Sequence, residues 1–387
     1  MQPAVATRPT DQPGDQPADQ PTDQPGDEQR PVLLAIDGNS LVHRSFHSQA
    51  ATGLRAPDGR PLWAIRGLLT QLVAAAERIC PAAVVVGFDD PERSIRRDRW
   101  PQYKAGRAEK LDTLVSQLDG AAEALRCLGI AVIVPTGLEA DDVLASAARF
   151  APTVGGRTVI MTSDRDAFAL IDEHTRVLRI INGGVDASPM LTPDRFVTML
   201  GIHAWQYRDF AALRGDPSDN LPGVHGFGPK TAAKLLIACG SVAEALADLA
   251  GDGGRVSAAV GPALAARLAE PAARAAWELN CQVMSMHSDL ELGLGLPDGL
   301  GSLPLAAEAV RSAFAAHQLT WTTPAALRAL AHHDGPVTPP PAQAWTGPGD
   351  QPSYGQPSSR GRRFPPLPKP DKRANRAALA ANQLSLF

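Results

Sequence analysis

Four short apolar runs in the first half of the chain, "PVLLAID", "AAVVVGFDD", "IAVIVP" and "RTVIMTSD", are rich in Val and Ile. Longer helical patterns such as "AIRGLLTQLVAAAERI" and "LVSQLDGAAEALRCLG" separate them. Near-continuous apolar strands alternating with helices are what a parallel sheet covered on both faces requires. After about Leu191 the strand pattern stops, and Ala-rich helical segments continue to about His332. The alternation predicts an α/β layer followed by a helical region.

Each run also leads into acid. Asp37 closes the first and Asp89 the second; Glu139, Asp141 and Asp142 follow the third, and Asp164 and Asp166 the fourth. "GDPSDN" adds Asp216 and Asp219. Taken alone, "GLEADDVLASAA" is a charged helix start whose acids complement the macrodipole. In an open parallel sheet, however, the carboxyl ends of the strands line one crevice, so these separate segments deliver their acids to the same rim. Two unit charges ~4 Å apart repel by ~4 kcal/mol at an effective dielectric of ~20. Such a cluster either holds protons or gathers divalent cations. An all-oxygen set suits Mg²⁺ or Mn²⁺ and not zinc, and a pair of such ions serves in-line attack on a phosphodiester.

The overall net charge of −4 conceals an uneven distribution: residues 1–30 carry −4, 31–335 carry −5 and 336–387 carry +5. Without the nine clustered acids the middle would stand at +4, basic as a polyanion-binding surface should be. No apolar run approaches the ~20 residues of a membrane span. The N-terminus does not read as a secretory signal. Cys80, Cys127, Cys239 and Cys281 are widely spaced and read as buried apolar residues of a reducing compartment. The cytoplasm, in association with the nucleoid, is the expected location, with no membrane partner. "DQPGDQPADQPTDQPGD" in residues 1–30 and the Pro/Gly/Ser-rich basic stretch from about Pro336 read as disordered.

With these residues in hand, the chain resembles the 5′ nuclease domain of bacterial DNA polymerase I and, more distantly, the flap endonucleases. The likeness runs from about Pro31 to Leu290 through "IDGNSLVHRSFH", "FDD…YKAGR", "LEADDVLA", "TSDRDAFALI" and "LRGDPSDNLPGVHGFGPKTAAKLL". The resemblance implies an α/β fold: a parallel-sheet, PIN-like nuclease core over 31–190 with a helical arch. A helical DNA-binding domain with a helix-hairpin-helix would follow over 191–335. It implies a first metal among Asp37, Asp89, Glu139, Asp141 and Asp142, and a second nearer Asp164, Asp166, Asp216 and Asp219. Asp37 and Asp164 would serve catalysis through these ions. Lys104 and Arg107 would approach the scissile phosphate and stabilise its charge; Lys104 as a solvated surface lysine is the competing reading.

"GVHGFGPKTAAK" breaks the P-loop order, because Pro229 separates Gly228 from Lys230. It reads instead as a helix-hairpin-helix in which Gly223, Gly226 and Gly228 allow a tight turn and offer amides to a phosphate. Lys230, Thr231 and Lys234 would join that grip, and the resemblance implies K⁺ bound there. Seven basic residues between Asp89 and Leu111, Arg96 among them, are interleaved with Trp100 and Tyr103. They read either as a solvated helix pair or as an arch that admits a single-stranded 5′ end. "AEKLDTL" departs there from the Pro-rich, acidic segment of the relatives. His43, Phe46, His47 and Trp63 are expected in core or wall.

No polymerase-like segment follows in the sequence, so a stand-alone, monomeric enzyme is expected. The terminal "QLSLF" resembles a sliding-clamp-binding peptide, with Gln383, Leu384, Leu386 and Phe387 as its contacts. A ~47-residue linker would give it a reach of roughly 40 Å. The expected function is metal-dependent 5′→3′ exonuclease and 5′-flap endonuclease activity on DNA 5′ ends, flaps or RNA primer–DNA hybrids. A non-catalytic, clamp-recruited junction binder and a related metal-dependent ribonuclease are the alternatives.

Overall fold

The computed structural model describes residues 30–296 and 298–331. The N-terminal repeat, the basic stretch from Pro336 and the "QLSLF" peptide lie outside the described residues.

A six-stranded sheet holds β1 (Val32–Asp37), β2 (Ala83–Gly87), β3 (Ala131–Ile133), β4 (Arg157–Thr162), β5 (Thr175–Arg179) and β6 (Met190–Leu191). Their order is β3-β2-β1-β4-β5-β6, parallel except for the antiparallel β5–β6 edge. All six β1 residues are buried. Val32, Leu34 and Ile36 face one apolar layer, Leu33 and Ala35 the other, as period-two alternation demands. The helices between strands are α1 (Gly38–Gln49), α2 (Trp63–Ile79), the short α3 (Ile95–Arg99), α4 (Asp112–Leu128), α5 (Ala140–Thr153) and the single-turn α6 (Gly184–Ala187). The first face is covered by α1, α2 and α4, and the second by α5.

Beyond the sheet come α7 (Pro193–Leu200), α8 (Tyr207–Arg214), α9 (Pro229–Cys239), α10 (Val242–Ala250), α11 (Gly254–Val260), α12 (Pro262–Leu268) and α13 (Pro271–Val283). Their apolar faces continue the α5-side layer: Phe196, Tyr207, Phe210, Leu235 and Leu268 share a cluster with Val143 and Leu144. A two-stranded ribbon, β7 (Gly215–Asp216) with β8 (Leu221–Pro222), interrupts the path from α8 to α9.

Three features depart from the sequence reading. Four strands were legible, whereas β5 and β6 complete the sheet; the alternation in "TRVLRI" marks β5. The helices after Leu191 also do not all lie on one face of the sheet. The last two helices, α14 (Ala307–Ala316) and α15 (Thr323–Leu330), return to the first face. There Val310, Phe314, Leu319 and Leu330 pack in the same cluster as Leu68, Leu72 and Leu125. Cys80 and Cys127, finally, are exposed rather than buried. Among the described residues no helix is long and apolar enough to cross a membrane.

Candidate active site

The strand order reverses direction at β1, whose neighbours are β2 and β4. Asp37, the last residue of β1, is 4% exposed and caps α1: its Oδ1 accepts from the Ser40 N–H at 2.9 Å. Its Oδ2 accepts from the Thr162 hydroxyl at the end of β4, 2.7 Å away. Thr162 Oγ1 in turn accepts the Asp164 N–H at 2.9 Å. Asp89, just past β2, is held by Asn39 Nδ2 at 2.7 Å and by the Ala140 N–H at 3.0 Å. That second bond draws the start of α5 onto the rim and carries Glu139 and Asp141 with it. Asn39 and Thr162 are site residues that the sequence reading did not single out. Nothing in a short polar side chain marks it in advance as the support of a carboxylate.

Burial sets the electrostatics. It pushes the Asp37 carboxyl up to about 7, helped by the charges of Asp164 and Asp89. Burial likewise takes Asp166 up to about 7, with Asp164, Asp216 and Asp219 adding to the effect. Asp141 is raised well above its ordinary value by burial and then by Asp164, Asp37, Asp166 and Glu139. Its Oδ1 is sealed from solvent without a hydrogen-bond partner. These mutual influences link Asp37, Asp89, Glu139, Asp141, Asp164, Asp166, Asp216 and Asp219 into one continuous set. Among the described residues, no three acidic, His or Cys side chains converge on a common point close enough to hold an ion unaided.

Asp142 stands apart from that set. Its carboxylate is fully buried and takes a bidentate pair from Arg96, 2.7 Å to each oxygen. The Glu139 and His287 N–H groups add bonds at 2.9 and 2.7 Å. Burial alone would raise its pKa, but the Arg96 guanidinium and the Glu139 and His287 N–H groups together hold it below the usual carboxylate value. Its oxygens are thus engaged by four donors, whereas the sequence expectation grouped Asp142 with the rim acids.

Arg96 and Tyr103, grouped by sequence with a solvated helix pair or a single-strand arch, are both buried in this structure. Arg96 is 6% exposed and Tyr103 5%. Besides Asp142, Arg96 donates to the Val283 and Ser285 carbonyls at 3.2 and 2.8 Å. One guanidinium thus ties α3, the start of α5 and the end of α13 together. The Tyr103 hydroxyl donates to Glu139 Oε2 at 3.1 Å, and its ring packs with Leu221 and Val283. Lys104 and Arg107 do reach the rim. Lys104 Nζ lies 2.7 Å from Glu139 Oε1, and Arg107 pairs with Asp219. Burial would lower the Lys104 pKa; the charge and hydrogen bond of Glu139, with the Asp219 charge, together raise it. The Lys104 N–H also donates to the Asp219 carbonyl at 2.9 Å, stitching this segment to the ribbon.

Across the rim, a cleft of 600 Å³ is lined by Ser40, Asp164, Asp166, Arg214, Asp216 and Ser218, among others. The ribbon fits because Gly215 and Gly223 lie back to back: a Cβ on Gly215 would come within 2.2 Å of the Gly223 nitrogen. Gly226 turns the following loop at φ +90°. Gly228 is the N-cap of α9 and has ordinary extended backbone and open space around it. The expected glycine roles therefore divide into a close approach, a turn and a bare helix start. Lys230 and Lys234 are exposed and Thr231 is half-buried at that start.

The buried ion pair makes a direct prediction. Arg96→Ala leaves the Asp142 charge uncompensated and should cost about 3–5 kcal/mol in urea unfolding. Arg96→Met combined with Asp142→Leu should recover much of that. A loss below about 1 kcal/mol for Arg96→Ala would place the pair among weak surface contacts.

Comparison with known proteins adds three findings. The 5′-3′ exonuclease N-terminal, resolvase-like domain matches residues 32–201, and the 5′-3′ exonuclease C-terminal SAM fold matches residues 202–302. DNA polymerase I of Mycobacterium bovis is 39% identical over 240 residues, covering 62% of this chain and 26% of that protein. The thermostable DNA polymerase I of Thermus thermophilus is 37% identical over 222 residues, covering 57% and 26%. The chain thus spans about a quarter of the length of these curated relatives. A structure of the T5 5′-exonuclease with divalent metal ions (zinc) bound shares the fold, with a TM-score of 0.52 and 17% identity over 77% of this chain and 99% of that one. A resolvase-like α/β layer with acids at its strand ends, followed by a SAM-like helical region, places this chain in the 5′-3′ exonuclease family.

Proposed function

We propose that the protein is a divalent-metal-dependent 5′→3′ exonuclease with 5′-flap endonuclease activity, hydrolysing phosphodiesters near 5′ ends during primer and flap removal. The observation that carries this reading is the buried rim itself. Asp37 and Asp166 are pushed up to about 7, and Asp141 Oδ1 is buried with no partner. Oxygens held together at that cost, with no His or Cys among them, fit a pair of hard cations such as Mg²⁺ or Mn²⁺. Asp37, Asp89, Glu139 and Asp141 would hold one ion; Asp164, Asp166, Asp216 and Asp219 would hold the other. When bound, such ions supply an acidified water and positive charge for the phosphoryl oxygens.

The chain's own residues do the rest. Asn39, Ser40 and Thr162 orient Asp37 and Asp89. Lys104 and Arg107, now paired with Glu139 and Asp219, put fixed positive charge where negative charge develops on the phosphate. The bare start of α9, with Gly223 to Gly228, Lys230, Thr231 and Lys234, would act as a helix-hairpin-helix that grips duplex phosphates without reading bases, with K⁺ on its carbonyls. DNA flaps, recessed 5′ ends and RNA primer–DNA hybrids are the proposed substrates, acted on by a monomer in the cytoplasm at the nucleoid. A sliding clamp is the proposed partner of Gln383, Leu384, Leu386 and Phe387.

Three measurements test this. Mn²⁺ titrated calorimetrically into the metal-free protein should bind more tightly as pH rises from about 6 to about 8. The ions must expel protons that Asp37 and Asp166 retain up to about 7. Heats independent of the buffer's ionisation enthalpy, hence no proton release, count against the ion cage. Asp164→Asn should abolish Mg²⁺-dependent cutting of an end-labelled 5′-flap duplex while sparing flap binding; wild-type protein that binds flaps and never cuts them overturns the enzyme reading. Deleting residues 383–387 should eliminate clamp binding and leave cleavage of free flap DNA unchanged, so undiminished clamp binding rejects that partner site.

A further inference from the structure

Arg165 and Arg214 stand among the acids that line the 600 Å³ cleft. Arg214 is the last residue of α8 and leads straight into Gly215 and Asp216. Its backbone is pinned by the ribbon: a Cβ on Gly223 would fall 2.2 Å from the Arg214 carbonyl oxygen. The side chain is half-buried and tethered at its base. Its Nε donates to the Gly215 carbonyl at 3.2 Å, and the guanidinium carbon lies 5.9 Å from the centre of the Phe210 ring. Both terminal nitrogens are left without a hydrogen-bond partner among the described residues.

Asp164, Asp166 and Asp216 line the same cleft, yet Arg214 forms no ion pair with any of them. Burial and the neighbouring acids raise the Asp166 pKa, and Arg214 is the charge that works against them, so the guanidinium is near the acids without closing on one. Lys104 and Arg107, by contrast, are paired with Glu139 and Asp219. An arginine placed only to neutralise the rim would seat its fork on a carboxylate, because such bidentate pairs are the strongest bonds it makes. One held short of three carboxylates keeps that fork for another acceptor. The fork fits the non-bridging oxygens of a phosphodiester as well as it fits a carboxylate. A phosphodiester is also the group on which the proposed ions act, so it is the anion that comes within reach of this wall.

We infer that Arg214 is a substrate-binding residue whose fork holds the non-bridging oxygens of a phosphodiester near the scissile one in the cut strand. The inference rests on the proposed nuclease function and deepens it. Lys104 and Arg107, from the segment between α3 and α4, serve the scissile phosphate in that reading, and neither lines this cleft. Arg214 adds a cation from α8, and the linkage beside the scissile one falls to it. The Nε tether and the pinned backbone fix the fork before substrate arrives, so little side-chain freedom is lost on binding.

The test pairs changes in the protein with changes in the DNA. Initial rates of 5′-flap cleavage at subsaturating substrate report kcat/KM for the unmutated full chain, Arg214→Ala and Arg214→Lys. The cut strand carries either ordinary phosphates or one neutral methylphosphonate, placed in turn at each linkage flanking the scissile bond. Arg214→Ala should lower kcat/KM on ordinary DNA about tenfold or more, the effect of losing a charge-assisted contact. Arg214→Lys, which keeps the charge and loses the fork, should fall between. At one flanking linkage the methylphosphonate should slow the unmutated protein by a similar factor and slow Arg214→Ala no further. Penalties that are equal for both proteins at every linkage overturn the contact. Calorimetry with Mn²⁺ alone separates a phosphate ligand from a scaffold. Removing a positive charge beside the acids should leave Mn²⁺ affinity as high as in the unmutated protein, or higher. Weaker Mn²⁺ binding by Arg214→Ala means that the side chain supports the acids, and overturns the inference. Unmutated protein that cuts flaps while the penalties stay additive leaves the nuclease reading in place; unmutated protein that never cuts them with Mg²⁺ sinks that reading and this contact together.

Discussion

Carboxylates repel one another and resist leaving water, yet the strand ends of the sheet, the start of α5 and the β7–β8 ribbon bring eight of them to one rim. Everything else near the rim can be understood as a response to that cost. The Ser40 amide and Thr162 hydroxyl hold Asp37, while Asn39 and the Ala140 amide hold Asp89. Lys104 and Arg107 bring cations to Glu139 and Asp219. What these contacts leave unpaid is expressed in the raised pKa values of Asp37 and Asp166, which burial pushes up to about 7, and in the solitary Asp141 oxygen. An uncompensated site of this kind is destabilising by itself. It persists in a fold when binding a cation or a substrate offsets the strain.

The Arg96–Asp142 pair answers a different need. The rim draws on the sheet, on α5 and on the ribbon after α8, and these parts must keep register for the acids to meet. Arg96 ties α3 to two of the neighbouring segments through five acceptors: both Asp142 oxygens and Glu139 at the start of α5, and the Val283 and Ser285 carbonyls at the end of α13. A buried ion pair adds little net stability compared with apolar packing, but it tolerates few alternative arrangements.

Packing explains why the two parts of the chain act as one. The α5 side of the sheet is closed by α7 to α13, and the opposite side by the returning α14 and α15. Neither apolar face would be satisfied by the α/β layer alone. Gly215 and Gly223 then let the two strands of the ribbon that carries Asp216 and Asp219 approach each other at backbone distance, which no side chain would allow.

The order of strand and helix, the acid at the end of each strand and the spacing of "GDPSDN" were legible in the sequence, because period, sign of charge and chain direction are local properties. They determined a parallel sheet with carboxylates gathered at its carboxyl end. Tertiary structure alone decided which acid binds what. Asp141 and Asp142 are neighbours with the same side chain, yet successive residues on a helix point about 100° apart. One faces the rim and stays unpaired; the other meets Arg96, 46 residues away in sequence, and is neutralised. The same holds for Arg96 and Tyr103, whose composition suggested contact with nucleic acid and whose burial made them supports. Partners that distant are chosen by packing of whole elements, and no local pattern records the choice.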